Sequence, residues 1–544
     1  MYIESGLDIG PGMEISLPPY PTTVEYLLVA GGGGGGAIGA GGGGGVVFGN
    51  YNIPAAATIN TTIGGGGSSS RDVQGTTGSN SSFVNDLDLT KSGSIYLNGT
   101  SQYLTTPYNS VFDFGSGDFT IEGWYNFTTL NGNSSGIDTL VILGNGAAGG
   151  PAYISCAWGI TYNAGALKLS RYDGTPGITT DYTLTFTPST PLRTGAWYHV
   201  ACTKSGSDVR MFLNGYQVGT TQSTANTYSS INSNPLYVGS FQNQGYLSNF
   251  NVSNLRIVKG VAVYTSNFTP SRNALTATQA ANVNGSPSAA ITGTQTSLLL
   301  NTVYGANYLK DSSSYNLTIT NVNSATSQTL EPIYTVTSYG GGGGGSWSAG
   351  SGNDGKYGGS GGGGGGYPSA GSVGAGFQGQ GYNGGQWGLG SQFGGGGGGG
   401  AGGLGANYTG TTGGAGGVGV ISAITGTSYY WAGGGGGGGG SASSTGGPGG
   451  FGGGQGGVGI SGFGTMGTGY NNATTGGAGT NTGGGGGGSD PYNPQNIGTG
   501  GSGIAVYRYP AIFNAASATT GSPIISTVDG YRVYIFTGSG SITF

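Results

Sequence analysis

Acid–base or nucleophilic catalysis usually needs a histidine or a matched pair of acids, and this 544-residue chain contains a single histidine. It is His199, in WYHVACTK, where strand alternation puts Trp197, His199 and Ala201 on one face and Tyr198, Val200 and Cys202 on the other. A Ser-His-Asp or Cys-His site would have to be built on that one residue. Carboxylates are no more promising. The glutamates are Glu4, Glu14, Glu25, Glu122 and Glu331, whereas glycoside hydrolysis needs two closely spaced acids. Glu122, in DFTIEGW, has only Asp118 as a local partner, four residues earlier on the same strand face, and reads as structural. Cys156 and Cys202 give neither a disulfide framework nor a metal-binding spacing.

The abundant residues suit packing and recognition better than catalysis. There are 129 glycines and 20 prolines, a share at which disorder is the first expectation. Against it, hydrophobic residues make up 35% and aromatics 11%, while charged residues are only 6%. Disordered chains show the opposite balance, so this one is built to pack. Its net charge of −5 comes from 19 acids and 14 bases scattered singly. With no basic stripe to follow a phosphate backbone, nucleic acid is not an expected partner. No apolar run approaches the ~20 residues of a membrane helix, so no membrane insertion is expected. The opening MYIESGLDIGPGMEI lacks the basic and apolar regions of a secretory signal, which suits synthesis in a reducing bacterial cytoplasm.

Texture divides the chain into a proline-bearing leader at 1–23, a glycine-rich piece at 24–82, a contrasting region at 83–335, and a second glycine-rich region at 336–544 that ends in strand-like GIAVYRYP and GYRVYIFTGSGSITF. In 83–335, short apolar and aromatic alternations recur between Gly, Asn, Ser and Pro turns and never keep helical periodicity for ten residues. That pattern predicts an antiparallel sandwich. The expected fold class is therefore mainly β with almost no α-helix, an antiparallel sandwich inserted into a glycine-rich helix bundle with apolar bookend strands.

Glycine tracts at 340–345, 361–366, 394–400, 433–440 and 483–488 can form extended three-residue-per-turn helices whose N–H and C=O groups point outward. Lacking side chains, several such helices can pack together and pair those groups. Collagen needs strict Gly-X-Y with abundant proline, and GGGGGGGG at 433–440 has neither. The connectors between tracts carry Trp347, Tyr357, Tyr367, Tyr382, Trp387, Tyr430, Trp431 and Tyr492. Rigid aromatics among Gly and Ser resemble a binding paratope, so these eight are the candidate receptor-binding residues, with bundle capping as the structural alternative.

GSIYLNGTSQYLTTP, FDFGSGDFTIEGW, WYHVACTKSGSDVRMFLNGYQVG, NPLYVGS, LRIVKGVAVYTSNFTPS and TSLLLN together resemble the concanavalin A-like, laminin-G-type jelly roll found in tail fibres of marine phages. The resemblance runs in order over roughly 83–325. It implies that the W-x-H-V-A pattern is a structural strand and that His199 lies in or near the core. None of the glutamates sits in the E-x-D-x-x-E arrangement of the jelly-roll glucanases. Laminin-G relatives often hold calcium through oxygen ligands, yet Asp138 and Asp173 each stand alone, so the spacing supports neither calcium nor any other cofactor. Tyr172 and Asp173, in SRYDG, are weak glycan-binding candidates on a jelly-roll loop.

The flanking VEYLLVAGGGGGG, TINTTIGGGG, TVTSYGGGGGGS and GYRVYIFTGSGSITF look like the glycine-rich domain of phage tail and fibre proteins. A related texture in T-even-like distal adhesins folds as polyglycine II. SNSSF and TVTSYGGGGGGS read as one motif interrupted by the jelly roll. These resemblances imply a non-enzymatic tail-fibre tip adhesin, made in the host cytoplasm and carried on the virion. Its leader would dock on the fibre shaft, and its partner would be an outer-membrane protein or envelope glycan. The alternatives are a secreted or surface lectin-like bacterial protein and, more remotely, a glycine-helix ice-binding protein.

Overall fold

A computed structural model describes residues 20–544 apart from 54–56, 70–72, 86–92, 133–135, 147–153, 174–181, 190, 231–232, 241–245, 272–273, 284–285, 302–307, 329–334, 347–353, 367–370, 389–393, 440–444, 454–481 and 490–497. The leader assigned to 1–23 therefore lies almost wholly outside the described residues. Strands dominate, and among the described residues helical backbone is confined to a 3-10 turn at Ser110–Phe112 and to Val283.

The middle region is a sandwich of two antiparallel sheets, one of seven strands and one of nine. The β-branched and aromatic alternation dictates which faces meet. Ile121, Tyr125 and Phe127 of strand Phe119–Phe127, with Tyr198, Val200 and Cys202 of strand Trp197–Ser205, point into a core shared with Trp158, Leu143 and Phe250. Trp158 is fully buried, and its indole Nε1 donates to the Phe112 carbonyl at 2.9 Å. The intervening residues Glu122, Trp124, His199 and Ala201 face outward from the nine-stranded sheet. A second apolar cluster of Ala201, Phe212, Val258, Val263, Tyr264 and Phe268 covers part of that outer face.

Chain ends far apart in sequence meet at the bookends. Thr23–Val29 pairs with Ile504–Pro510, which pairs with Tyr531–Phe536, in one five-stranded sheet. A second five-stranded sheet contains Thr58–Thr62, Ser81–Asn85, Thr335–Ser338 and Gly540–Thr543. Tyr26, Tyr51, Phe83, Tyr507 and Phe536 fill the core between the two. Ser81–Asn85 and Thr335–Ser338 are antiparallel neighbours, as are Ser94–Asn98 and Thr326–Gln328. The chain thus leaves for the sandwich and returns through adjacent strands at both levels. The boundary at 82/83 cuts through Ser81–Asn85, a strand of the glycine-side sheet.

Beyond the bookends, glycine tracts run side by side with regularly repeating hydrogen bonds. Gly31 and Gly34 donate to Ser79 and Thr76, Gly32 and Gly35 to Gly501 and Gly498, and Gly33 and Gly36 to Gly42 and Gly39. Each neighbour is addressed every third residue, and in all three cases the partner runs antiparallel. Elsewhere the order is parallel: Ala40 and Gly43 donate to Gly396 and Gly399. Close approach requires glycine here, because a Cβ on Gly33 would lie 2.1 Å from the Gly342 carbonyl oxygen.

Connectors between packed tracts are expected at the ends of a bundle. Much of 372–388 instead joins the lattice, since Gly374 donates to Gly362, Gly384 to Gly374 and Gly385 to Gly397. Glycines spaced singly in this stretch suffice, because a side chain between them can point out of the lattice.

Candidate functional site

The outer face of the nine-stranded sheet carries two polar features, one closed and one open. The closed feature surrounds Glu122, which is buried at the sheet centre. Its Oε1 accepts from Arg256 Nη2 at 2.6 Å and Nε at 2.8 Å, and its Oε2 accepts from the Tyr264 hydroxyl at 2.9 Å and lies 3.2 Å from His199 Nε2. Arg256 also donates to the Thr276 carbonyl and to Gln279.

Burial alone would raise the Glu122 carboxyl, but the Arg256 charge and His199 outweigh it and hold the group at about 2. A carboxylate so held and enclosed is a structural anion, not a proton donor. The expected Asp118 partner is a correction: Asp118 precedes the strand, and its Oδ1 accepts from Gly206 N at 2.7 Å. Arg256 lies 134 residues from Glu122 in sequence, which is why local spacing missed it.

The open feature is a cleft between this sheet and the edge strand Val46–Asn52 of the bookend sheet. Two adjoining cavities of about 570 and 540 Å³ meet at Phe48, Tyr216 and Phe268–Pro270. Trp124, Asn126, Trp197 and Gln378 line the first. The two regions are clamped beside it. Phe377 enters the jelly-roll core and stacks on Tyr198 at 5.0 Å, and Tyr339 packs on its ring at 4.4 Å. Asn214 Nδ2 donates to the Gln378 carbonyl, and Gln380 binds the backbone of Tyr339 and Thr337 through its amide. Sequence reading passed over Phe48, Tyr216 and Phe377 because the cleft exists only once three distant segments converge.

The eight connector aromatics do not form one surface. Trp347, Tyr367 and Tyr492 lie outside the described residues. Tyr357 is exposed and carries the Arg193 guanidinium over its ring at 4.2 Å. Tyr382 is exposed beside Tyr216, whose phenol is raised by burial and then by this neighbour. Trp387 is half-buried. Tyr430 stacks on the exposed Phe451 at 4.9 Å.

Trp431 is a correction. It is fully buried among Leu27, Val29, Ile504 and Val533, because hairpin 420–431 folds its apolar side onto the bookend sheet. As placed, it offers no surface to a receptor. Tyr172 and Asp173 end strand Ala166–Asp173, paired with Cys156 and Ser155, instead of standing on a loop; their side chains lie outside the described residues.

Both cysteines are free and buried, and burial pushes both thiols up. Asp138, considered for calcium, is buried and accepts from Asn131 N at 2.7 Å. Among the described residues no group of three or more His, Cys, Asp or Glu side chains could hold a metal ion.

The paired antiparallel sheets define a concanavalin A-like jelly roll, the class of fold shared by lectin-type domains. Residues 98–263, just under a third of the chain, match the family described as the Concanavalin A-like lectin/glucanases superfamily. No curated protein matches the sequence. Among solved structures, a candidate carbohydrate-binding protein from Bacteroides ovatus is similar at 13% identity over 53% of this chain, with a TM-score of 0.29. The chain spans 64% of that protein's length. The pentraxin of Limulus polyphemus is similar at 14% identity over 32% of this chain and 79% of its own, with a TM-score of 0.22. The CBM40 of a Ruminococcus gnavus sialidase, bound to sialyllactose, is similar at 15% identity over 32% of this chain and 95% of its own, with a TM-score of 0.23. The jelly-roll assignment rests on the family match and on the two sheets.

Proposed function

We propose that this chain is a non-enzymatic adhesin at the tip of a phage tail fibre, and that its jelly roll engages a glycan of the host envelope. The observation that carries the reading is a lectin-type sandwich inserted between adjacent strands and clamped by Phe377 to a region of backbone-paired glycine tracts. Such a support presents a binding domain rigidly at little cost in side-chain ordering. The three-residue hydrogen-bond repeat favours polyglycine II for the tracts. The enclosed, ion-paired Glu122 favours recognition over hydrolysis. In this reading the leader docks on the fibre shaft, the protein is made in the host cytoplasm, and it acts on the virion.

The test is labelling of virions with antibody against the purified chain, together with competition for adsorption by the full chain. Labelling of the distal fibre tips and blocked adsorption are expected. Labelling of uninfected cell surfaces, with virions unlabelled, would replace this reading with that of a bacterial surface lectin.

A further inference from the structure

Phe48 is 58% exposed on an edge strand and belongs to neither apolar cluster that its neighbours Val46 and Val47 join. Tyr216, 44% exposed, faces it where the two cavities meet. The Tyr216 ring abuts Gly379, where a Cβ would lie 3.0 Å from the ring edge. Gly379 has φ +85°, so both its backbone and its packing favour glycine there. Tyr216, braced at that edge, and Phe48, outside both apolar clusters, are thus both exposed where the cavities meet. Exposed aromatics at a concave site are an interaction surface, since single-body packing gives them no reason to converge.

Unmet hydrogen-bonding capacity sits in the same walls. The Trp197 Nε1 donor and the Gln378 Oε1 acceptor are shielded from bulk solvent and have no partner among the described residues. Groups of this kind normally find partners. The described part of the walls is also uncharged in effect. Among the described residues lining the two cavities, Arg256 is the one charged side chain, and it is enclosed against Glu122. Each cavity falls within the roughly 300–1,000 Å³ common for small-molecule sites.

We propose that this cleft binds a neutral oligosaccharide, with Phe48 and Tyr216 stacking on the apolar faces of sugar rings and the shielded side chains of Trp197, Gln378 and Asn126 turning to meet their hydroxyls. The ligand alternates apolar faces with hydroxyl edges, which matches paired aromatics above amide and indole groups. A sialylated or sulfated sugar would find no free cation among the described residues lining the cleft. The site is composite: the jelly roll supplies Trp197 and Tyr216, and the glycine-side region supplies Phe48 and Gln378. The inference rests on the glycan reading above and narrows it to a place and a charge class.

The experiment uses the full chain on immobilised neutral oligosaccharides of hexose and N-acetylhexosamine units, beside sialylated and sulfated counterparts. Neutral sugars should bind preferentially. Phe48→Ala and Tyr216→Ala should each weaken that binding about tenfold, the effect of losing one aromatic anchor. Melting temperatures should change little, because each side chain is about half exposed. Tyr315→Ala, an exposed aromatic held to the Thr294 carbonyl elsewhere on the jelly roll, should leave binding intact. Neutral-sugar binding that survives the Phe48→Ala/Tyr216→Ala double variant would overturn the cleft and leave the glycan reading standing. Preference for sialylated or sulfated sugars would overturn the neutral assignment, and binding to none of the sugars would overturn both.

Discussion

The jelly roll and the glycine lattice bury backbone by opposite means. In the jelly roll, strands pair edge to edge and side chains of Trp158, Tyr125, Phe119 and Phe250 fill the space between sheets. In the lattice, backbone occupies the interior and hydrogen bonds run to several neighbouring tracts at once, as from Gly31, Gly32 and Gly33 to three different segments. A jelly roll can absorb a changed side chain by repacking, at a cost set by the space it leaves. A lattice of carbonyls has no rotamers with which to yield.

That contrast breaks first at glycine. Gly33→Ala would drive a methyl group into the Gly342 carbonyl and should cost more than about 4 kcal/mol, among the exceptional values for a single substitution. Gly206→Ala in the jelly roll meets open space at φ +59° and should cost only about 1 kcal/mol for the strained backbone. Thermal unfolding of the two variants measures the difference. Similar costs would show the lattice to be as yielding as the sandwich.

Glu122 is the jelly roll's own rigid point. Glu122→Gln would leave the Arg256 guanidinium enclosed without its counter-charge, at an expected cost of about 3–5 kcal/mol. With its folded value near 2, below the ordinary 4.5, Glu122 contributes its full stability above pH 4.5 and loses it as pH falls toward 2. The wild-type melting temperature should therefore fall between pH 5 and pH 2 by a component that the variant lacks. Identical pH profiles would show that the ion pair does not set the acid limit.

Phe377→Ala tests whether the two regions act as one body. It removes the ring packed on Tyr198 and Tyr339 and should cost about 2–4 kcal/mol, below the full core value because the pocket opens on the cleft. Calorimetry should then resolve two transitions where one is expected for the wild type, with the jelly roll and the lattice uncoupled. A single transition at lower temperature would mean that other contacts couple them.

How much of this was legible in sequence follows the same divide. Period-two alternation in DFTIEGWYNF and WYHVACTK exposed the jelly-roll strands and the face on which His199 lies, because side chains carry that fold. The bookends were legible as apolar runs, although their mutual pairing across 475 or more residues was not. Glycine tracts announced close backbone packing without disclosing which tract pairs with which, since identical residues carry no address. The same blindness misplaced Trp431: in TGTSYYW it reads as a connector aromatic, and only the fold of the hairpin onto Leu27 and Val29 reveals it as core. Phe48 and Tyr216 gave no signal at all, because a cleft between two regions has no sequence period.

The smallest expected effect separates a buried jelly-roll carboxylate that costs stability from one that supplies it. Asp138 is buried, and burial raises its carboxyl to about 6 although the Asn131 amide hydrogen bond pulls it down. For an acid raised in this way the folded state favours the protonated form, so the group is neutral toward stability below its unfolded value and increasingly unfavourable as pH rises through 6. Asp138→Asn keeps an acceptor for the Asn131 amide and removes the charge. At pH 8 the variant should be more stable than wild type by about 1–2 kcal/mol, and the gap should close by about pH 4. Denaturant unfolding at the two pH values gives the comparison. A variant less stable than wild type at pH 8 would mean that the anion is needed there. If added calcium then raised the stability of wild type alone, Asp138 would be a metal ligand after all, and the spacing argument against calcium would fall with it.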